Sequence, residues 1–190
     1  MAVGHVRFSA EDIKGLERAF QALGGKEKSK VIARVLNRAG SSAFTQVRRT
    51  LSKEVGLIQR DIVSHGNLRK LTAYAGRLDF VIESSGVYLP LKRFKPRQTR
   101  KGVTHRAWGK RTLNRGSFIV GKMGGHVFHR VGRKRLPIKK EFGPSIPNEM
   151  IKGQSKVRMH EAANKVAGPR IIHEMDRLMK RYAKQFGVAG

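Results

Sequence analysis

The 190-residue chain has no cysteine, one tryptophan and six prolines, and its 13 acids stand against 41 lysines and arginines. Without cysteine there is neither a disulfide framework nor a thiolate metal site, which excludes a secreted disulfide-stapled domain. No uninterrupted apolar run approaches the ~20 residues that a spanning helix requires. Met1 to Ser9 lacks the apolar stretch of a secretory signal, so the expectation is a soluble protein made in a cytoplasm, with no membrane partner.

The scarcity of acids leaves a formal net charge of +28. A monomer this basic repels itself, and a persistent anionic partner is expected, nucleic acid first among the candidates. Between Ser84 and Lys140 no acid occurs at all. Within that interval, Lys92 to Arg115 loses hydrophobic periodicity and is interrupted by Gly102 and Gly109. Its apolar residues are too sparse for an ordered core, which predicts a basic arm at about 92–116, either mobile or a long hairpin. Lys92, Arg93, Lys95, Arg97, Arg100, Lys101, Arg106, Lys110, Arg111 and Arg115 are the candidate phosphate contacts, with Phe94 and Trp108 interleaved. Such residues hold double-stranded DNA without reading its sequence. The competing reading is a solubilising loop that packs on an acidic protein neighbour. Trp108 suits either stacking on a base or anchoring to another subunit.

Periodicity supplies the fold expectation. Ser9 and Asp12 form a capping box ahead of Ile13, Leu16, Phe20 and Leu23, one amphipathic helix that Gly24-Gly25 stops. A longer helix from about Glu27 to Glu54 follows, its apolar face made of Ile32, Val35, Leu36, Ala39, Ala43, Val47 and Leu51. The charges on its other face, Lys28 to Arg49, read as a solvated surface. After Gly56, Leu57 to Val63 suits a short helix that ends at His65-Gly66-Asn67. Arg77 to Glu83 alternates as a strand, a turn is expected at Ser84-Ser85-Gly86, and Val87, Leu89 and Leu91 continue with the same period. Pro90 argues for an edge position there.

Phe118 to Lys122, Val127 to Val131 and Leu136 to Phe142 form a meander, turned at Gly124-Gly125 and at Gly132 and stopped by Gly143-Pro144. Asn148 to Val166 suits a helix weakened by Gly153 and broken or kinked at Gly168-Pro169. Beyond it, Ile171, Ile172, Met175, Leu178, Met179, Tyr182 and Phe186 make an apolar face that Gly187 ends. The expected class is α+β: one domain over residues 1–190, in which N-terminal and C-terminal helices cover an antiparallel β-sheet or meander.

Several motifs invite a catalytic reading and fail on their neighbours. Gly116 to Lys122 has P-loop spacing, but Phe118, Ile119 and Val120 fit a strand, and Met123 stands where Ser or Thr would hold Mg²⁺. His126 and His129 have opposite parity in a strand and should leave opposite faces. His160-Glu161 and His173-Glu174 lack the second histidine of a helical zinc site. A nuclease would need converging acids, and in the middle of the chain only Asp79 and Glu83 share a strand face. No catalytic residue, metal or cofactor is assigned.

Arg130-x-Gly132-x-x-Arg135-x-Pro137-Ile138, followed by Gly143-Pro144-Ser145-Ile146-Pro147, resembles the signature segment of the prophage minor tail protein Z family of tailed bacteriophages. The likeness extends upstream through Leu91, Phe94, Gly102-Val103 and Gly116-Ser117-Phe118-Ile119. It covers the second half of the chain well and the first half by helix pattern alone. The resemblance implies a non-enzymatic tail completion protein in the virion, near the head-proximal end or neck, assembled in the host cytoplasm. It further implies structural roles for Arg130, Gly132, Arg135, Pro137, Gly143, Pro144 and Pro147. The implied partners are tail terminator, tail tube and connector proteins, further copies in a ring, and nonspecific double-stranded DNA. A free nucleic-acid-binding protein, ribosome- or nucleoid-associated, is the alternative. No helix-turn-helix, RNP-type motif or KH loop supports it.

Overall fold

The computed structural model describes residues 2–9, 25–152 and 154–185. The class is α+β, with long helices at the two ends and three small antiparallel sheets between them. Two compact units divide the chain. The described part of the first comprises residues 2–4, 48–68, 84–152 and 154–155; that of the second comprises 5–9, 25–47, 69–83 and 156–185. The helix read from Ile13 to Leu23 lies outside the described residues.

Helix α1 (Gly25–Val55), whose residues 25–47 belong to the second unit, starts two residues before the expected position and keeps the expected face. Ile32, Val35, Leu36, Ala39, Ala43 and Val47 are all buried, because a row repeating every 3.6 residues stays on one side of the helix. Gly40 belongs to this row for a steric reason. A Cβ there would stand 2.3 Å from the Phe80 ring, so the bare backbone is what lets the strand approach.

Phe80 lies on β3 (Asp79–Gly86), the centre of a sheet ordered β1-β3-β2, with β1 at Ala2–Ser9 and β2 at Arg69–Leu71. The register sets Arg69 opposite Glu83 and Leu71 opposite Val81. The amide of Asn37 extends this pattern, accepting from Ala73 N and donating to Ala73 O, each at 2.8 Å. Strand β1 is an addition to the elements expected from periodicity. The predicted turn at Ser84-Ser85-Gly86 is also corrected. Ser84 is buried and donates to Gly66 O at 2.7 Å, so the strand continues instead of reversing.

Two further corrections concern the last helix. Gly168-Pro169 does not break it: α4 runs from Gln154 to Gln185 with Pro169 inside. Burial of Ala167 and Ile171 on either side carries the helix past the hydrogen bond that proline removes. The break comes earlier, after the short α3 (Ile146–Ile151). The buried row of α4 is Met159, Ala163, Ala167, Ile171, Glu174 and Leu178, whereas Ile172 and Met179 are exposed. Phe186 and the side chain of Tyr182 lie outside the described residues.

The first unit contains α2 (Gln59–His65), α3 and two sheets. One sheet is ordered β4-β5-β6, from Arg97–Thr99, Gly102–His105 and Thr112–Arg115; the other is ordered β7-β8-β9, from Ser117–Val120, His126–Arg130 and Ile138–Lys140. The meander is therefore present, turned at Gly124-Gly125, both with positive φ. Its middle strand buries Val127 and Phe128 alike instead of alternating, because both of its faces are covered.

The segment expected as a mobile arm or long hairpin is a hairpin, extended to three strands. Phe94, Val103 and Ala107 are buried within the unit, so few apolar residues suffice when neighbouring chain supplies the rest of the core. Val87 to Leu91 is not a strand. Val87 is exposed, Pro90 makes a single bridge to Phe142, and Leu91–Arg93 turns as one 3₁₀ helix. The backbones are stitched by Leu89 N to Pro144 O at 3.1 Å and Gly143 N to Leu89 O at 2.7 Å.

Candidate functional site

The first unit carries most of the net charge. It holds 22 of the lysines and arginines but only four acids, Glu54, Asp61, Glu141 and Glu149. Three of those acids already have partners. Glu54 accepts from Ser155 Oγ at 2.9 Å, and Glu149 from Trp108 Nε1 at 3.3 Å. Glu141, only 13% exposed, accepts from the Asn114 amide and lies 3.1 Å from His129 Nδ1.

All ten predicted phosphate contacts are exposed: Lys92, Arg93, Lys95, Arg97, Arg100, Lys101, Arg106, Lys110, Arg111 and Arg115. None of the ten forms a salt bridge among the described residues, and a cation without such a partner is costly to bury. The strand register brings several together. Arg97 pairs with Thr104 and Gly102 with Arg115, so Arg97, Thr104 and Arg115 share one face of the β4-β5-β6 sheet. Arg111 joins them by donating from Nη1 to Thr104 Oγ1 at 2.8 Å. The opposite face is the inner one, with Val103 and His105 buried. Arg100 and Lys101 sit in the turn between β4 and β5, at one end of the arginine face.

Lys92 and Arg93 do not belong to that face. They emerge from the 3₁₀ turn beside buried Leu91, whose N–H donates to Glu141 O at 3.2 Å. Arg93 Nη1 stands 2.5 Å from His65 Nε2. Both cations act on His126, whose ring is held below its ordinary pKa chiefly by burial and then by Lys140, Lys92 and Arg93. Sequence reasoning took His65 only as a helix end and His126 only as a rejected metal ligand, and it passed over Lys140, since their association depends on contacts between distant parts of the chain.

The interleaved aromatics divide. Phe94 is 1% exposed and packs against Gly143, so it is core and not a stacking platform. Trp108 is half exposed, with positive φ and its indole N–H on Glu149. Gly109 after it approaches Lys53 O so closely that a Cβ would stand 2.6 Å away. Of the signature residues, Gly143, Pro144 and Pro147 are buried, while Arg130, Gly132, Arg135 and Pro137 lie exposed around the β8–β9 hairpin. Arg130 stacks over the Phe118 ring at 5.2 Å.

The other motifs resolve simply. β7 occupies the P-loop spacing. His126 and His129 turn apart, one to Lys140 Nζ at 3.3 Å and the other to Glu141. Asp79 is engaged by Arg77 at 2.8 Å and Arg7 at 3.2 Å, and the register sets Glu83 opposite Arg69. No protein-family model, curated protein or solved structure matches the chain.

Proposed function

We propose that this is a non-catalytic structural protein that holds the phosphate backbone of double-stranded DNA without reading sequence. The observation that carries the reading is the exposure of all ten cations on a unit whose acids are few and mostly engaged. Three arginines on one sheet face fit a polyanion better than they fit each other.

The particular role proposed is that of a bacteriophage tail completion protein, positioned near the head-proximal end of the virion tail. It works there as one of several copies among terminator, tube and connector proteins. The signature from Arg130 to Pro147 supports this step. Charge alone serves a free nucleic-acid-binding protein equally well, and the ordered signature favours the tail. The test is duplex binding across a salt series, for wild type and for a variant with Arg97, Arg100, Arg106 and Arg111 changed to Ala. Equal weakening on unrelated sequences supports the reading; unchanged affinity overturns it.

A further inference from the structure

Lys140, Lys92, Arg93 and His126 gather positive charge in one place, where Lys140 also lies over the Phe142 ring at 5.5 Å. The β8–β9 register pairs Phe128 with Lys140, which puts Lys140 on the same sheet face as His126, two residues from Phe128. Lys140 Nζ approaches His126 Nε2 to 3.3 Å. From the side, the 3₁₀ turn delivers Lys92 and Arg93, whose charges also reach the ring. Glu141 is next in sequence to Lys140 but has the opposite parity, and Asn114 and His129 engage it on the other face. Three cations thus act on one imidazole, and among the described residues no carboxylate counters them there.

The hydrogen bonding within this cluster is equally one-sided. An ammonium only donates, so His126 Nε2 accepts from Lys140 and the ring proton sits on Nδ1. That Nδ1 is buried and has no hydrogen-bond partner among the described residues. His65 Nε2 likewise accepts from Arg93, which fixes the guanidinium beside the turn. Cations that share one neighbourhood repel one another, and an anion among them relieves that repulsion. A phosphate group offers acceptor oxygens to ammonium and guanidinium donors, and charge-assisted bonds of this kind are the strong ones.

We infer that Lys140, Lys92, Arg93 and His126 form a seat for one phosphate group, separate from the sheet face of Arg97, Arg111 and Arg115. The inference deepens the DNA reading and rests on it for the source, a phosphodiester of the duplex backbone. A bound phosphate neutralises the cations that disfavour the imidazolium, so His126 takes up a proton more readily when the seat is filled. Binding through this seat therefore strengthens as pH falls toward the ordinary histidine range. A one-unit rise in the His126 pKa on binding gives up to about tenfold in affinity.

The experiment is NMR of the full chain with ¹⁵N-labelled histidine, recording the His126 titration alone, with inorganic phosphate and with a random-sequence duplex. A rise in its pKa with both probes is expected. His126→Gln should remove that part of the pH dependence of duplex binding, and Lys140→Gln should flatten the response of His126 to phosphate. A rise with phosphate but no duplex binding would keep the seat and defeat the DNA reading. Duplex binding that leaves His126 unmoved would overturn the seat while the sheet-face arginines still hold DNA. Movement of His126 by a glutamate-rich peptide, with none from phosphate or DNA, would also overturn it.

Discussion

Arg34 on α1 donates from Nε to the carboxylate of fully buried Glu174 on α4 at 2.9 Å, across 140 residues of sequence. Arg170, one turn before Glu174 on the same helix, holds the other oxygen at 2.5 Å. Because each arginine satisfies one oxygen, removing either leaves the carboxylate partly compensated. Arg34→Ala should cost about 1.5–3 kcal/mol, the range for a hydrogen bond to a charged group. Removing both arginines leaves a bare buried charge, and the loss should reach about 3–5 kcal/mol or unfold the unit. Urea unfolding of the two single variants and the double variant checks this. A double variant no worse than Arg34→Ala would remove Arg170 from the account.

Gly40 and Phe80 give a prediction of opposite chemistry. Alanine is the better helix former by about 1 kcal/mol, yet its methyl carbon would sit 2.3 Å from the Phe80 ring. Overpacking at about 1–3 kcal/mol should win, so Gly40→Ala destabilises. Phe80→Leu should recover part of that loss. A thermal shift series in which Gly40→Ala is neutral would show that strand and helix move apart freely.

The residues legible in the sequence are those whose physics is local. Along α1, seven apolar positions repeat at helical spacing, and all seven are buried, because propensity and burial agree there. In α4 they disagree. Its buried row includes Ala163, Ala167 and Glu174 beside Ile171 and Leu178, while Ile172 and Met179 face outward, so hydrophobicity alone finds only part of the buried edge. A buried carboxylate is legible only once its counter-ions are known, and Arg34 lies in another third of the chain. The candidate site divides the same way. The exposure of ten cations follows from the scarcity of acids, but their grouping follows from register, and the placement of Lys92 beside His126 follows from a turn that no local pattern announces.

Glu27 at the start of α1 carries a pH prediction. Arg181 Nη2 lies 3.1 Å from it and Lys30 Nζ 3.5 Å, and the neighbouring Arg181 guanidinium, helped by Lys30, holds its carboxyl below the ordinary 4.5. A depressed folded pKa contributes stability that is complete above the unfolded value and is lost as pH falls through the folded one. The stability difference between wild type and Glu27→Gln should therefore be constant above pH 4.5 and disappear in stronger acid. Because the pair faces solvent, added salt should shrink it. A difference that persists in acid would point to packing of the Glu27 side chain instead of its charge.

The last prediction separates DNA contact from protein docking on the exposed arginine face. Arg97, Arg100, Arg106 and Arg111 are exposed, and the register and the Arg111 to Thr104 bond place two of them on the outer face of one sheet. Changing all four to Ala removes charge without opening the core, since buried Val103 and His105 lie on the other face. Folding should be unchanged. If these residues hold phosphates, affinity should fall similarly on unrelated duplexes, and the salt slope should become shallower by about 0.9 for each phosphate no longer neutralised. Under the proposed tail role, virions carrying the variant should then assemble complete tails but position or deliver DNA poorly. A docking face gives the reverse pattern, because the variant then gives up an acidic protein neighbour while DNA never was a partner. Unfinished tails with an unchanged salt slope would assign this face to a subunit interface, leaving the seat at His126 to be judged by its own titration.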